Sequence, residues 1–236
     1  MEIAFLTTPT LHHTWYLQEL KKHYHDMICI SEEEGIISKF ETSHTFEDKR
    51  ESYEEEYFFS NEKAKLNDIC ETVNVRNINQ EDVISALDSF SPDVLITFGT
   101  RKIKEHIITR FSENIINLHG GDPETYRGLD SHLWAIYHSD WANLITTLHV
   151  LNSELDDGEI IQKKILDLSN VNHLSQLRAA NTEACLELTI DALKSYEDLG
   201  YFKKSKQKQK GRYYSFMPSC LKEICVNKFT KHMRLK

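Results

Sequence analysis

A chain of 236 residues, 40% hydrophobic and 28% charged, has the length for one sizeable core and the make-up of an ordinary globular protein. It holds no apolar run near the roughly 20 residues a membrane span requires. Its start, Met1-Glu2-Ile3, lacks the basic region of a secretory signal, and its five cysteines sit at scattered spacings with no Cys-x-x-Cys, which points to reduced thiols in a cytoplasm. Net charge is −9, with six acids between Glu47 and Glu56 and eleven Lys/Arg against one acid from Lys203 to Lys236. So acidic a chain is a poor general binder of nucleic acid, and its basic end is expected to meet solvent or a small anionic ligand.

Taken in order, Ile3 to Leu6 is a short apolar run that predicts a first strand, followed by a helix through Trp15, Leu17 and Leu20. Met27 to Ile30 fits a second strand. Ser31 to Asn61 reads as an irregular insertion with a helix near its end, and its acidic run as a solvated face. Thr72 to Val75 predicts a short strand, and Asn79 the N-cap of a helix through Val83, Ile84 and Leu87 that stops before Pro92. Asp93 to Gly99 is a buried-type strand, followed by a helix over 102–110. Ile115 to His119 is another strand, leading to a glycine-containing loop through Tyr126-Arg127-Gly128 and a helix over 131–138. Leu144 to Val150 and Glu159 to Ile165 complete the strands. A long helix over 172–199 has its apolar face at Leu174, Leu177, Ala184, Leu188 and Ala192 and closes at Gly200. Lys203 to Lys210 then forms a basic connector to a short C-terminal segment.

Strand–helix alternation over residues 1–165 predicts an α/β fold: a mostly parallel, twisted sheet with helices on both faces, followed over 166–236 by a C-terminal helix and a basic tail. Ligands of such sheets bind outside the carboxyl ends of the strands. Asn117 and His119 fall at such an end, and because they are two apart they project to the same face. Gly120 and Gly121 would let backbone approach a ligand closely, and Arg127 sits beside a turn. Asp156-Asp157-Gly158 is by itself a plain turn. Brought together, Asn117, His119 and Asp156 supply an amide donor, an imidazole and a carboxylate, enough for acyl transfer. His12-His13 and His23-x-His25 lack a Cys or acidic partner at ligand spacing, so no metal is expected.

The combination Asn117-x-His119, Tyr126-Arg127-Gly128, Thr147-x-His149 and Leu155-Asp156-x-Gly158-x-Ile160-Ile161 resembles the formyltransferases that use 10-formyltetrahydrofolate, well from Asp93 to Ile165 and more loosely at the first strand. The resemblance implies that family's Rossmann-like fold and makes Asn117, His119 and Asp156 the catalytic trio. It also implies a folate held near Phe98, Gly99, Arg101, Ile103, Asn152 and Leu155, largely through main chain. Gly120-Gly121-Asp122-Pro123-Glu124 departs from the family's usual Pro-Ser and later proline, which bears on the acceptor more than on the formyl chemistry. Gly120, Gly121, Tyr126 and Arg127 are expected to face the acceptor. Lys210, Arg212 and Tyr213 would face a diphosphate or a base, with a solvated connector as the alternative.

Among the family's acceptors, glycinamide ribonucleotide fits poorly, because Thr7 to His13 has no glycine to open backbone N–H groups to a phosphate. The resemblance to the enzymes that formylate methionyl-tRNA lacks their C-terminal barrel domain, and that to formyl-folate hydrolases lacks a regulatory N-terminal domain. The expected substrate is therefore a nucleotide-diphosphate amino dideoxy sugar of surface polysaccharide (lipopolysaccharide O-antigen) biosynthesis, with methionyl-tRNA formylation or formyl-folate hydrolysis as alternatives. A cytoplasmic homodimer, without membrane or nucleic-acid partners, goes with that reading.

Overall fold

The computed structural model describes residues 1–60, 62 and 64–235; Asn61 and Lys236, which end the insertion and the basic tail as read from the sequence, lie outside the described residues. Nine strands and eight α-helices are defined among the described residues: β1 Ile3–Thr7, α1 Leu11–Lys21, β2 Met27–Glu32, α2 Thr45–Phe59, α3 Leu66–Ile69, β3 Glu71–Val75, α4 Glu81–Phe90, β4 Val94–Phe98, α5 Glu105–Phe111, β5 Ile115–His119, β6 Tyr126–Gly128, α6 Ser131–Tyr137, β7 Ile145–Val150, β8 Ile160–Ile165, α7 Leu177–Leu199, β9 Arg212–Tyr214 and α8 Ser219–Met233. Seven strands form one sheet in the order β3-β2-β1-β4-β5-β7-β8. β3 to β5 are parallel, while β7 and β8 run antiparallel at one side.

Alternation along the strands divides the core. Ile3 and Phe5 of β1, Cys29 of β2 and Ile96 of β4 pack with Tyr16, Leu17 and Leu20 of α1 and with Leu188 and Ala192 of α7. Ala4, Leu6, Ile30 and Leu95 face the other way, onto Val83 and Leu87 of α4 and Ile107 of α5. Strands covered on both faces need apolar residues at every position, which is why β1 and β4 read as unbroken apolar runs. A third cluster joins α6, α8 and the first part of α7 through Leu133, Ala135, Cys225, Phe229 and Leu177. α7 spans the first and third clusters and ends at Gly200, whose φ of 77° closes the helix left-handed, as read from the sequence.

Several local expectations change. Gln80, not Asn79, is the N-cap of α4; the Asn79 side chain instead donates to the Lys102 carbonyl (3.1 Å) and accepts from the Lys104 amide (2.7 Å), tying α4 to the segment after β4. The helix expected over 102–110 begins only at Glu105, and the long helix over 172–199 starts with a 3-10 turn at Leu174–Gln176 before α7. Tyr126–Gly128 is a strand rather than a loop, paired in parallel with Arg212–Tyr214. The C-terminal segment is a fifteen-residue helix with buried Lys222, Cys225 and Phe229. The acidic run lies on α2, where Asp48, Glu51 and Glu56 are exposed as expected, but Glu54 is fully buried and forked by Arg178 at 2.6 Å on both oxygens.

Candidate active site

β5 is the strand on which the site is built, because it has a parallel neighbour on one side and an antiparallel one on the other. The register sets Thr97 of β4, Asn117 of β5 and His149 of β7 in one row across the sheet. Residues in register share a face, so the three side chains meet. The Thr97 hydroxyl donates to Asn117 Oδ1 at 2.7 Å, and Asn117 Nδ2 lies 3.1 Å from His149 Nε2. His149 Nδ1 is 2.9 Å from the Val150 carbonyl, which can only accept. That contact places the proton on Nδ1, leaves Nε2 as an acceptor, and fixes Asn117 with its amide nitrogen toward His149. One N–H of Asn117 is used there; the second remains for a ligand in the cleft that Asn117 lines. Burial, the larger influence, holds the His149 imidazole neutral by pushing its pKa down, against the pull of Asp156.

His119, two residues on, is 6% exposed. Its Nε2 donates to the Tyr126 carbonyl at 2.9 Å, with Ser131 Oγ 3.5 Å from the same nitrogen. Nδ1 is therefore the nitrogen open to chemistry, and it faces Asp156 Oδ1 at 3.7 Å. The same oxygen is 3.8 Å from His149 Nε2, and Asp156 Oδ2 accepts from the Gly128 amide at 2.7 Å. Asn117, His119 and Asp156 thus converge, with His149 as a fourth member.

Asp156 reaches this place through a strained turn. Its φ is +50°, the left-handed region that costs a non-glycine residue about 1 kcal/mol or more. Three contacts hold it: Arg127, whose Nε donates to the Leu155 carbonyl at 2.9 Å and whose Nη2 binds the same oxygen; Gln207, whose Nε2 donates to the carbonyls of Asp156 (2.9 Å) and Gly158 (3.0 Å); and the Gly128 amide. Gly158 cannot carry a side chain, because a Cβ there would sit 1.6 Å from the Val150 carbonyl oxygen.

Around the trio lies a cleft of about 720 Å³ at the carboxyl ends of β1, β4 and β5, beside the switch in strand order between β1 and β4. Of the residues expected at the site, Phe98, Gly99, Arg101, Ile103, Gly120, Asn152, Leu155 and Tyr213 line this cleft with the trio. The Arg101 amide donates to the buried Glu32 carboxylate at 3.2 Å and its side chain closes on Glu32 and Glu34, so its main chain offers a ligand the carbonyl and not the N–H. The Leu155 carbonyl is likewise occupied by Arg127.

Other expected residues stand behind the wall. Gly121 makes room not for a ligand but for its neighbours: a Cβ there would come 2.7 Å from Ser131 Cβ and 2.9 Å from His119 Nε2. Tyr126 is buried with its hydroxyl on Asp140 (2.9 Å), and Arg127 is 6% exposed and spent on Leu155. Lys210 leans out toward Glu154 and Asp157 at 3.5 and 3.4 Å, and Arg212 lies over the Tyr214 ring. Sequence reasoning missed Thr97, His149 and Gln207 as site residues. His149 already stood out in Thr147-x-His149 on a strand, whereas nothing near Gln207 marks it.

A family model described as Formyl transferase matches residues 1–193. The methionyl-tRNA formyltransferase of Finegoldia magna is 28% identical over 109 residues, 45% of this chain and 34% of that protein, so the chain matches about a third of that relative's length. Among solved structures, the formyltransferase PseJ from Anoxybacillus kamchatkensis, in complex with UDP-4,6-dideoxy-4-formamido-L-AltNAc and tetrahydrofolate, superposes with a TM-score of 0.57 at 19% identity, covering 90% of this chain and 85% of that one. An N-formyltransferase from Helicobacter canadensis, in complex with folinic acid and dTDP-3-aminofucose, gives a TM-score of 0.59 at 13% identity over 91% and 71% of the two chains. These likenesses share the mostly parallel sheet covered on both faces and the C-terminal helix. With the greater part of its length matched by the family model, the chain belongs to the formyl transferase family.

Proposed function

We propose that this protein is an N-formyltransferase that moves the formyl group of 10-formyltetrahydrofolate to the amine of a nucleotide-linked amino dideoxy sugar. The observation that carries the reading is the convergence of Asn117, His119 and Asp156 in one cleft, with the Asn117 amide fixed by Thr97 and His149. An amine attacking the formyl carbon forms a C–N bond and drives negative charge onto the formyl oxygen. The free Asn117 N–H is a preset donor for that oxygen, and a proton on His119 Nδ1 is a second. Asp156 can take the proton that the attacking nitrogen must lose and return it, directly or through His119, to the folate nitrogen, whose bond to the formyl carbon breaks as the tetrahedral centre collapses. Loss of a preset donor of this kind costs about 10²–10³ in rate, and proton transfer by a placed group contributes about 10²–10⁴. The separations of 3.7 and 3.8 Å around Asp156 are wider than hydrogen bonds, and contacts of this kind tighten when reactants bind.

The folate would lie against Phe98, Ile103, Asn152 and Leu155, which line the cleft. A nucleotide-linked sugar as acceptor is supported by the compounds bound to PseJ and to the Helicobacter canadensis enzyme. Methionyl-tRNA is the second reading, favoured by the curated relative. Against it, two of the connector's five lysines are matched by acids: Lys204 by Glu113 and Glu159, and Lys210 by Glu154 and Asp157. The deciding experiment incubates the protein with 10-formyltetrahydrofolate and TDP-, UDP- and GDP-linked amino sugars, with methionyl-tRNA alongside, and follows products by mass spectrometry. One formylated sugar, absent with His119→Ala, is the expected result. Formylated tRNA, or deformylated folate with every sugar untouched, would overturn the sugar reading.

A further inference from the structure

Away from the trio, the cleft wall built by α1, α2 and α7 holds three buried side-chain polar atoms without a hydrogen-bond partner among the described residues: Thr10 Oγ1, Arg50 Nε and His12 Nδ1, the last of which lies 4.0 Å from Glu54 Oε2. Buried polar atoms in folded proteins are nearly always satisfied, so unpartnered ones facing a cavity mark a place where a ligand supplies the partner. His12 is 7% exposed, and Thr10 caps α1 without using its side chain. Thr10 and His12 sit at the start of α1, and Arg50 reaches the same wall from α2.

Two guanidinium groups face the same wall. Arg50 and Glu54 are one turn apart on α2 and share its inner face. Glu54 is consumed by the fork of Arg178, a bidentate contact that uses one edge of that guanidinium. Arg50 lies over the Phe46 ring at 5.8 Å and has a loose ion pair with Glu47 at 3.5 Å, while Glu47 is also held by Lys222 at 3.0 Å. Glu47, Glu54 and the exposed Glu51 are the carboxylates that act on Arg50, and none of them engages its Nε. Asp130, also on the cleft, accepts from the Met217 amide, and its burial disfavours the charged form. His12 stays neutral there, because burial and the neighbouring His13, Arg178 and Arg50 all push its pKa down.

We propose that Arg50, Arg178, Thr10 and His12 form a subsite for a phosphoryl group carried by the amine substrate, with Arg50 as its principal contact. The subsite rests on the formyl-transfer reading for its role but not for its existence. Arg50 Nε–H and its neighbouring amino group present a planar pair of donors to two phosphoryl oxygens, the free side of the Arg178 fork supplies a second cation, and His12 and Thr10 each add one hydrogen bond. The site specifies a phosphorylated amine over a free amino sugar. A sugar nucleotide and the acceptor end of a charged tRNA both offer that chemistry.

The test pairs binding with kinetics on Arg50→Gln and Arg50→Lys, each checked for wild-type circular dichroism. Inorganic pyrophosphate is expected to raise the melting temperature of the wild type and not of Arg50→Gln. In turnover, Arg50→Gln should raise the acceptor KM about 10- to 100-fold, the loss of one charged hydrogen-bond pair, while the folate KM stays constant. Arg50→Lys should restore part of the loss, being cationic without the fork. UDP or dTDP competing for pyrophosphate assigns the site to a sugar nucleotide; displacement by tRNA alone assigns it to tRNA. If pyrophosphate leaves the wild type unchanged, shifts both proteins equally, or if the folate KM rises with Arg50→Gln, the subsite is wrong. Pyrophosphate binding through Arg50 in a protein that formylates nothing would keep the subsite and sink the function; normal acceptor KM in an active Arg50→Gln would do the reverse.

Discussion

An asparagine amide can point either way, and a catalytic donor must not. In this protein the direction is set by neighbours that are fixed themselves: the Val150 carbonyl fixes the His149 tautomer, His149 Nε2 fixes the Asn117 nitrogen, and the Thr97 hydroxyl fixes the Asn117 oxygen. Thr97 is fully buried and of nearly the same shape as valine. Thr97→Val should therefore keep the fold and lower kcat about fivefold, since an orienting hydrogen bond is worth about 1 kcal/mol, with both KM values unchanged. Thr97→Val added to Asn117→Ala should cost nothing further, because the hydroxyl acts through the amide it orients. An additive loss in the double variant, measured as kcat under saturating substrates, would show that Thr97 works in some other way. From the sequence, Asn117 and His119 were legible as a strand-end pair because alternation is local. Thr97 was not, since its role depends on a register between strands twenty residues apart in the chain.

At the scale of elements, the turn that carries Asp156 is held from a distance. Residues after α7 run back along the sheet: Ser205 bridges Ile160, Gln207 grips both sides of the Asp156 turn, and Arg212–Tyr214 pairs with Tyr126–Gly128 just beyond His119's carbonyl partner. The connector's lysines stand out in the sequence as a basic patch, yet it is the uncharged Gln207 that touches the Asp156 turn. A three-residue strand such as β6 or β9 has no periodic pattern to read, and a glutamine among lysines has no signal at all. The long runs were legible for the opposite reason: β1, β4 and α7 each bury a continuous face. Gln207→Ala removes two hydrogen bonds from a turn that stores backbone strain at Asp156. It should lower kcat about fivefold with little change in melting temperature, on about 1 kcal/mol for a hydrogen bond that positions rather than folds. Steady-state kinetics beside thermal unfolding tests this, and a variant that loses several degrees while keeping kcat would make Gln207 a purely structural strap.

For the whole molecule, the sheet and its two covered faces followed from the order of apolar runs, whereas the third cluster, where α8 closes over α6, depends on contacts between residues about ninety apart. The core that results is unusual in its buried imidazoles. Burial pushes the His13 pKa down to about 3 and that of His132 to about 4, and it lowers His12 and His149 as well. In each case the folded state binds its proton less readily than the unfolded chain, whose histidines titrate near 6.5. Between pH 6.5 and about 3 the unfolded chain therefore holds more protons, and stability must rise with pH across that window and fall on acidification. The stabilising contribution is fully present above pH 7 and is lost as the pH drops, with His13 alone contributing on the order of several kcal/mol. Urea midpoints measured at pH 7.5, 6, 5 and 4.5 should decline steadily. His13→Asn, which keeps a polar group toward the Thr8 carbonyl now 3.1 Å from His13 Nδ1, should start from a lower midpoint but decline less steeply. Parallel declines in the two proteins would mean that His13 does not titrate on unfolding in this range.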